Sequence, residues 1–427
     1  MESSYHLKSN RKSYFPLLSW LTLFFGFVLV VLHRFATASM QDIFTENFAM
    51  GSSSFALLSS SYFYLYPLMQ VPAGFALDLW GPRKIVSFSF LIMSAGTLIF
   101  ATAMSFSQLL LGRIIISFGA AFIWGALLKV QGLYFSGRVF ALLAGMGGVG
   151  ASLGIILAGS PLMTGITNLG WREINFLLAL ITVLLMLSNL AFTGNSHPSS
   201  EKPKTASFKK ELKNTLKGAL LVLKDRSSWL LFICHFGIYG SYAAFLGIWS
   251  YPLLVGKAGY EISQASFLIT FMGFSYMLGG PALGHLSDRL GEKRRPVLML
   301  SSGVLTFFTA TLLLLPYFAN STDALIYPSL FALGFFTPSL ILTMVLSREL
   351  QDYNYSGVAV GIANSGGFVG TALAQLTVGF ILERGWEDDF AGGIMNYPWP
   401  VFQQVIIFSI LLLLLAFFSA YLVKENK

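Results

Sequence analysis

Of the 427 residues, 55% are hydrophobic and only 11% are charged, against about 25% charged in an ordinary soluble domain. A chain this apolar must place most of its surface in lipid, where only helices or a closed barrel satisfy every backbone group. The net charge of +8 would point to nucleic acid in a soluble protein, but here the cations crowd into loops and read as membrane topology, with no nucleic-acid partner.

The apolar runs are continuous over about 20 residues instead of alternating with period two, which selects helices over a barrel. A short head with Lys8, Arg11 and Lys12 precedes the first run, 14–35. Ala36-Thr37-Ala38 looks like a signal-peptidase site. That run is longer than the roughly 7–15 residues of a secretory h-region, so it is read as an uncleaved first helix. Further spans follow at 55–77, 85–104, 109–128, 140–162 and 174–192. A polar stretch rich in Lys, Ser and Pro comes next. The second set lies at 229–254, 265–286, 297–318, 324–346, 358–382 and 401–423. The expected fold is an all-α membrane protein of twelve transmembrane helices. Its two six-helix halves, 1–194 and 229–427, are joined by a basic linker, 195–228. With the N-terminus inside, most of the 27 Lys and Arg residues fall on inner loops. Short loops with this bias place both termini in the cytoplasm. Cys234 is the single cysteine, so no intrachain disulfide is expected.

Between the second and third runs stands Gly74-Phe-Ala-Leu-Asp78-Leu-Trp-Gly81-Pro-Arg83-Lys84, and it recurs as Gly284-His-Leu-Ser-Asp288-Arg289-Leu-Gly291. Both copies read Gly-x3-Asp-x2-Gly, and the two aspartates are separated by close to half the chain. The doubled motif, the twelve spans and the basic central linker together resemble the major facilitator superfamily. The first copy departs at Leu79, where the family pattern has Arg; the second keeps Arg289. The stretch from Tyr62 to Gly74, the Gly-rich stretch from Gly145 to Pro161, and Gly170-Trp171-Arg172 are similar to a bacterial subgroup. That subgroup includes organic-anion permeases and phagosomal amino-acid transporters. The resemblance implies an inner-membrane, monomeric secondary transporter without cofactor, working by alternating access. Its partners would be the bilayer, a small-molecule substrate and a co-transported proton or sodium ion. The resemblance also implies a gate in which Asp78 and Asp288 latch the cytoplasmic ends of the halves. Gly74, Gly81 and Arg83 belong to it in the first copy, and Gly284, Arg289 and Gly291 in the second. A tight turn with positive-inside arginines is the plainer reading.

Charges within spans cost about 2.5–3.5 kcal/mol each on insertion scales and mark function by default. Arg34, after His33, sits on helix 1 and Arg113 on helix 4, and both of these helices line the cavity in the superfamily. Counted along straight helices, both arginines lie in the outer half of the membrane. No carboxylate lies at that depth, Glu173 being the nearest candidate partner. Two cations without a counter-ion point to an anionic substrate, since the guanidinium fork grips carboxylate or phosphate. A structural or snorkelling arginine is the alternative for each, and for Arg113 the stronger one. Its usual downstream Gly is Ser117 here. Lys129 is expected to snorkel. In the second half, His235 and Tyr239 share a helix face, and His235 is a candidate coupling residue or an interfacial one. Asn364, Gln375 and Gln70 either read substrate or bond helix to helix. The candidate substrate site is therefore His33, Arg34, Arg113, Tyr239 and Asn364. Ser160-Pro161 replaces the Gly-Pro signature of proton-linked drug exporters, which weighs against efflux. Efflux of a drug or siderophore is the rival within transport, and a non-transporting sensor the rival outside it. No metal-ligand cluster, nucleophile motif or nucleotide-binding glycine loop supports an enzyme.

Overall fold

A computed structural model of the chain describes residues 15–194, 218, 220–318, 321–351, 355–387, 389–391 and 394–425. The side chains of Gln70, Asp78 and Arg138 fall outside the described part, as does most of the 195–228 linker. Among the described residues, eleven helical segments are long and apolar enough to cross a membrane. Helix α1 spans Phe15–Phe35, and α2 (Gln41–Phe48) and α3 (Ser52–Ser60) follow it through a short 3-10 turn at Ala38–Met40.

Helix α4, Tyr62–Ala101, has 40 residues. As a straight rod it would reach about 60 Å, roughly twice the hydrocarbon thickness. It is in fact two helices folded at Gly81, whose φ of 79° and ψ of 159° are non-helical. Only glycine takes that conformation without strain. Pro82 then fits the first turn of the outgoing helix, where a missing N–H costs nothing. The motif expected as a loop is thus a hinge of one residue.

Helices α5 (Phe106–Ala120) and α6 (Ile123–Tyr134) make one interrupted span. Helix α7 (Gly137–Ala158) stops at Gly159, and α8 (Ser160–Leu169) restarts with Pro161 in its first turn. Helix α9, Trp171–Phe192, closes the first half. The second half begins with α10 (Arg226–Ala244), a π-helical turn at Phe245–Trp249, and α11 (Ser250–Gly256). It continues with α12 (Ile262–Arg289) and α13 (Arg295–Thr311). Then come α14 (Asp323–Phe336), α15 (Leu340–Leu350), α16 (Ser356–Arg384) and α17 (Trp399–Leu422). The break between α14 and α15 falls at Thr337–Ser339, where Pro338 lacks the N–H that would continue the ladder.

The expectation of an all-α chain needs one correction. Phe390–Ala391 and Ile394–Met395 form a two-stranded antiparallel ribbon between α16 and α17. This connection leaves the helical run, so its backbone groups pair with each other instead. Asp389 fastens it, accepting from the Asn396 backbone and side chain at 2.9 and 2.6 Å.

Leu177, Leu180, Leu184 and Leu187 form an exposed apolar stripe along α9, and Leu411, Leu415, Phe418 and Leu422 another along α17. Apolar stripes of this kind on membrane-spanning helices suit contact with lipid. The inner helices meet around a cavity. The face bearing the two Gly-x3-Asp turns is called the loop face below. On the opposite face the halves are joined by hydrogen bonds. Ser52 Oγ lies 2.5 Å from Tyr397 Oη, the Ser53 amide donates to Glu383 Oε2 at 3.0 Å, and the Ser160 amide donates to Thr270 Oγ1 at 2.9 Å.

Candidate functional site

A cavity of about 360 Å³ lies between the halves and takes lining from both, with Arg34, Tyr66, His235, Tyr239, Asn364 and Phe368 at its polar and aromatic core. It extends past Leu128 to Arg348, an exposed residue in the last turn of α15 near the loop face. Of the candidate substrate residues, the structure brings Arg34, Tyr239 and Asn364 together here. His33 and Arg113 stand behind them, outside the lining.

Arg34 occupies the last turn of α1 and is 7% exposed. Its Nη1 donates to Tyr239 Oη at 2.9 Å. The guanidinium lies 5.2 Å from the Tyr66 ring centroid, 5.3 Å from Phe368 and 5.8 Å from Tyr62. Ring faces carry partial negative charge and stabilise a cation by about 0.5–2 kcal/mol, more when water is excluded. This box holds the charge in place without neutralising it. Nε and Nη2 are buried with no hydrogen-bond partner, and no ion pair to Arg34 occurs among the described residues. Glu173 stands beside Gly170 at the start of α9 and pairs with neither arginine.

Arg113, 2% exposed, is bonded differently. Its Nη1 donates to the carbonyl of His33 and its Nη2 to the carbonyl of Arg34 at 3.0 Å and to Thr37 Oγ1 at 3.3 Å. The last carbonyls of a helix have no partner within it. Arg113 caps the end of α1 from α5 and so sets the position of Arg34. Ser117, where the family has Gly, donates to the carbonyl of Tyr62 at 2.5 Å and ties α5 to the same wall. Lys129 donates to the carbonyl of Leu77 at 2.7 Å, bracing α6 against the incoming arm of the first motif.

His235, on α10, has Nδ1 at 2.7 Å from Thr343 Oγ1 of α15. The bond lies against α16 at Gly367, where a Cβ would stand 2.8 Å from Nε2. Glycine leaves room there for the imidazole. Gln375 binds helix to helix, donating to the carbonyl of Ala243 at 2.9 Å. Tyr66 and Phe368 carry no sequence signal beyond being aromatic; the i, i+4 spacing of Tyr62 and Tyr66 is the one hint.

In the second motif, Asp288 accepts from Arg294 Nη1 of its own turn at 2.9 Å. Arg294 also reaches Ser287 at 2.8 Å and Glu349 at 3.4 Å. Arg289 ends α12, exposed, and Gly291 turns the chain with a φ of 72°. In the first motif, Arg83 donates to the carbonyl of Leu190 at 2.6 Å, and Asn189 donates to the Arg83 carbonyl at 2.9 Å. A Cβ on Gly74 or Gly284 would meet nothing within 4 Å.

The comparisons agree with this architecture. The probable sulfoacetate transporter SauU of Cupriavidus necator is 24% identical over 371 residues, 84% of this chain and 85% of that one. The cis,cis-muconate transport protein of Acinetobacter baylyi is 24% identical over 328 residues, 73% of this chain and 74% of that one. The structure of a bacterial homologue of the human lysosomal transporter Spinster, inward-facing and occupied, superposes with a TM-score of 0.72. It shares 17% identity and covers 97% of each chain. The Major Facilitator Superfamily model matches residues 23–375 and, in a second match, 231–427. The chain therefore belongs to the Major Facilitator Superfamily, a multi-pass membrane family whose relatives here are transporters.

Proposed function

We propose that this chain is a secondary active transporter. It moves a small polar metabolite bearing an anionic group across a bacterial inner membrane by alternating access. The substrate would be an organic acid, an organophosphate or an amino acid, co-transported with a proton or sodium ion. The observation that carries the reading is Arg34: a buried cation at the cavity wall, with Nε and Nη2 unpartnered and aromatic rings in place of a carboxylate. Such a charge is costly unless something compensates it, and a bound anion would. Arg113 serves as its positioning residue.

The segments Ser52–Ser60 and 62–78 are read as a twelfth span beside the eleven, giving two six-helix halves, 1–194 and 229–427, on either side of the basic linker. The bias of Lys and Arg places the loop face and both termini in the cytoplasm, with the chain a monomer. The structure would then be a cytoplasm-open state. Gly74, Asp78, Gly81, Arg83, Gly284, Asp288, Arg289 and Gly291 form the gate that closes when the halves rock.

The test is thermal-shift binding of a panel of small carboxylates, sulfonates, organophosphates and amino acids, alongside their neutral methyl esters. A charge-assisted bond is worth about 1.5–3 kcal/mol, so Arg34→Ala is expected to weaken the best acid at least about tenfold. Arg34→Lys should recover little, because lysine lacks the fork. If Arg34→Ala binds like the parent, or the ester binds as well as the acid, the anionic-substrate reading fails.

A further inference from the structure

Thr343 Oγ1 lies 2.6 Å from the carbonyl of Leu340 and 2.7 Å from His235 Nδ1. A carbonyl can only accept, so both contacts are hydrogen bonds together only when Thr343 donates to Leu340 and accepts from a hydrogen on Nδ1. Nε2 is then a bare lone pair. No described protein atom donates to it, and the residue lines the cavity.

We infer, resting on the anionic-substrate reading above, that Nε2 of His235 accepts a hydrogen bond from the substrate. The transported molecule would then carry a hydroxyl or ammonium donor as well as its anionic group. The two recognition points lie one helical turn apart. Arg34 reaches Tyr239, and the Tyr239 and His235 ring centroids are separated by 6.3 Å. Tyr239 Oη accepts from Arg34 and keeps its own proton, so the anion would meet two donors there while the substrate donor meets an acceptor. A hydroxy or amino acid of three to six carbons would span that interval. A dianion without a donor would leave Nε2 bare, and its second charge would find no buried cation near His235; Arg348, at the mouth, is exposed. A site built to accept a donor rejects the analogue lacking it far more strongly than an apolar pocket rejects a methylene. This assigns His235 to substrate selection and not to carrying the coupling proton, since a protonated Nε2 could no longer accept.

Matched pairs test the inference by thermal-shift titration of the purified full chain: lactate against propionate, malate against succinate, 4-aminobutyrate against butyrate. In the parent, the donor-bearing member of each binding pair is expected to bind at least tenfold tighter. His235→Phe should close that gap by weakening the donor-bearing member alone, and Thr343→Val should narrow it by freeing the tautomer. Nitrogen NMR of histidine-labelled protein, with the His235 signal assigned by its loss in His235→Gln, should show hydrogen on Nδ1. Equal affinities within the pairs, or hydrogen on Nε2, overturns the inference while the Arg34 test still stands. If no acid of either kind binds, the inference falls together with the reading beneath it.

Discussion

The two faces of this transporter use the same residue type to opposite effect. Opposite the loop face, glycines mark where the halves touch. A Cβ on Gly379 would lie 2.1 Å from Ala56 Cβ, and one on Gly159 2.5 Å from Thr270 Oγ1. A Cβ on Gly273 would stand 2.8 Å from Ile156. On the loop face, Gly74, Gly132, Gly284, Gly357 and Gly361 would each meet nothing within 4 Å. Small residues let membrane helices approach closely: the first set lies where the halves pack, and the second faces open space. The hydrogen bonds agree. Among the described residues, the hydrogen bonds that join the halves lie at Arg34 or beyond it toward the closed face, and Arg294 pairs with Asp288 and Glu349 within the second half.

The largest effect should come from filling one glycine on each face. Overpacking costs about 1–3 kcal/mol, and more where backbone is in the way. Gly379→Leu is expected to force the closed face apart, raising thiol labelling of a cysteine at Ser59 from that side by at least about tenfold. Gly284→Leu should leave folding and acid binding unchanged but stop uptake in proteoliposomes, because the loop face could no longer close. Parent-level uptake by Gly284→Leu would show that its open surroundings have no part in the cycle.

Much of this was legible in the sequence, and the parts that were not share a cause. Continuous apolar runs gave the spans, and the doubled Gly-x3-Asp-x2-Gly marked where each half turns. The breaks inside spans at Ser61, Gly159, Phe245 and Pro338 do not show in the spans because each interruption, such as Ser59-Ser60-Ser61 or Thr337-Pro338-Ser339, is too short to divide an apolar run of about 20 residues. They show in the backbone hydrogen bonding. The two arginines show the same limit. Burial and charge could be read from the spans, but the roles depend on carbonyls 79 and 80 residues away for Arg113 and on a tyrosine 205 residues away for Arg34. Asn364 and Gln375 looked alike in sequence; only the first lines the cavity.

A smaller effect is expected from loosening the closed face without crowding it. Tyr397→Phe removes the bond to Ser52, and Glu383→Gln replaces a charged acceptor at the Ser53 amide, the first turn of α3. Each change removes about 1 kcal/mol, enough to raise Ser59→Cys labelling from that side about fivefold. The two bonds end on adjacent residues of α3, so the double variant should depart from the product of the two effects. No rise in either variant would mean that apolar packing alone holds the face shut.

The smallest effect on stability belongs to Asp288, and it sharpens the comparison most. Its side chain is 67% exposed and pairs with Arg294 at 2.9 Å, and a pair this open contributes about 0–1 kcal/mol. Arg294 keeps Ser287 and Glu349 without it, and Glu425 still accepts from the Arg294 and Arg295 amides at the start of α13. Asp288→Asn should therefore move the unfolding free energy of the loop-open state by less than about 1 kcal/mol. If the carboxylate acts only when the loop face closes, by meeting a helix N-terminus of the other half for about 0.3–1 kcal/mol, its loss shifts the balance toward the open state. Uptake should then fall two- to fivefold, and labelling of Arg348→Cys at the cavity mouth should rise by a similar factor. The opposite pattern, a lower melting temperature with unchanged uptake and labelling, would make Asp288 part of its own turn and nothing more. The gate would then rest on the glycines.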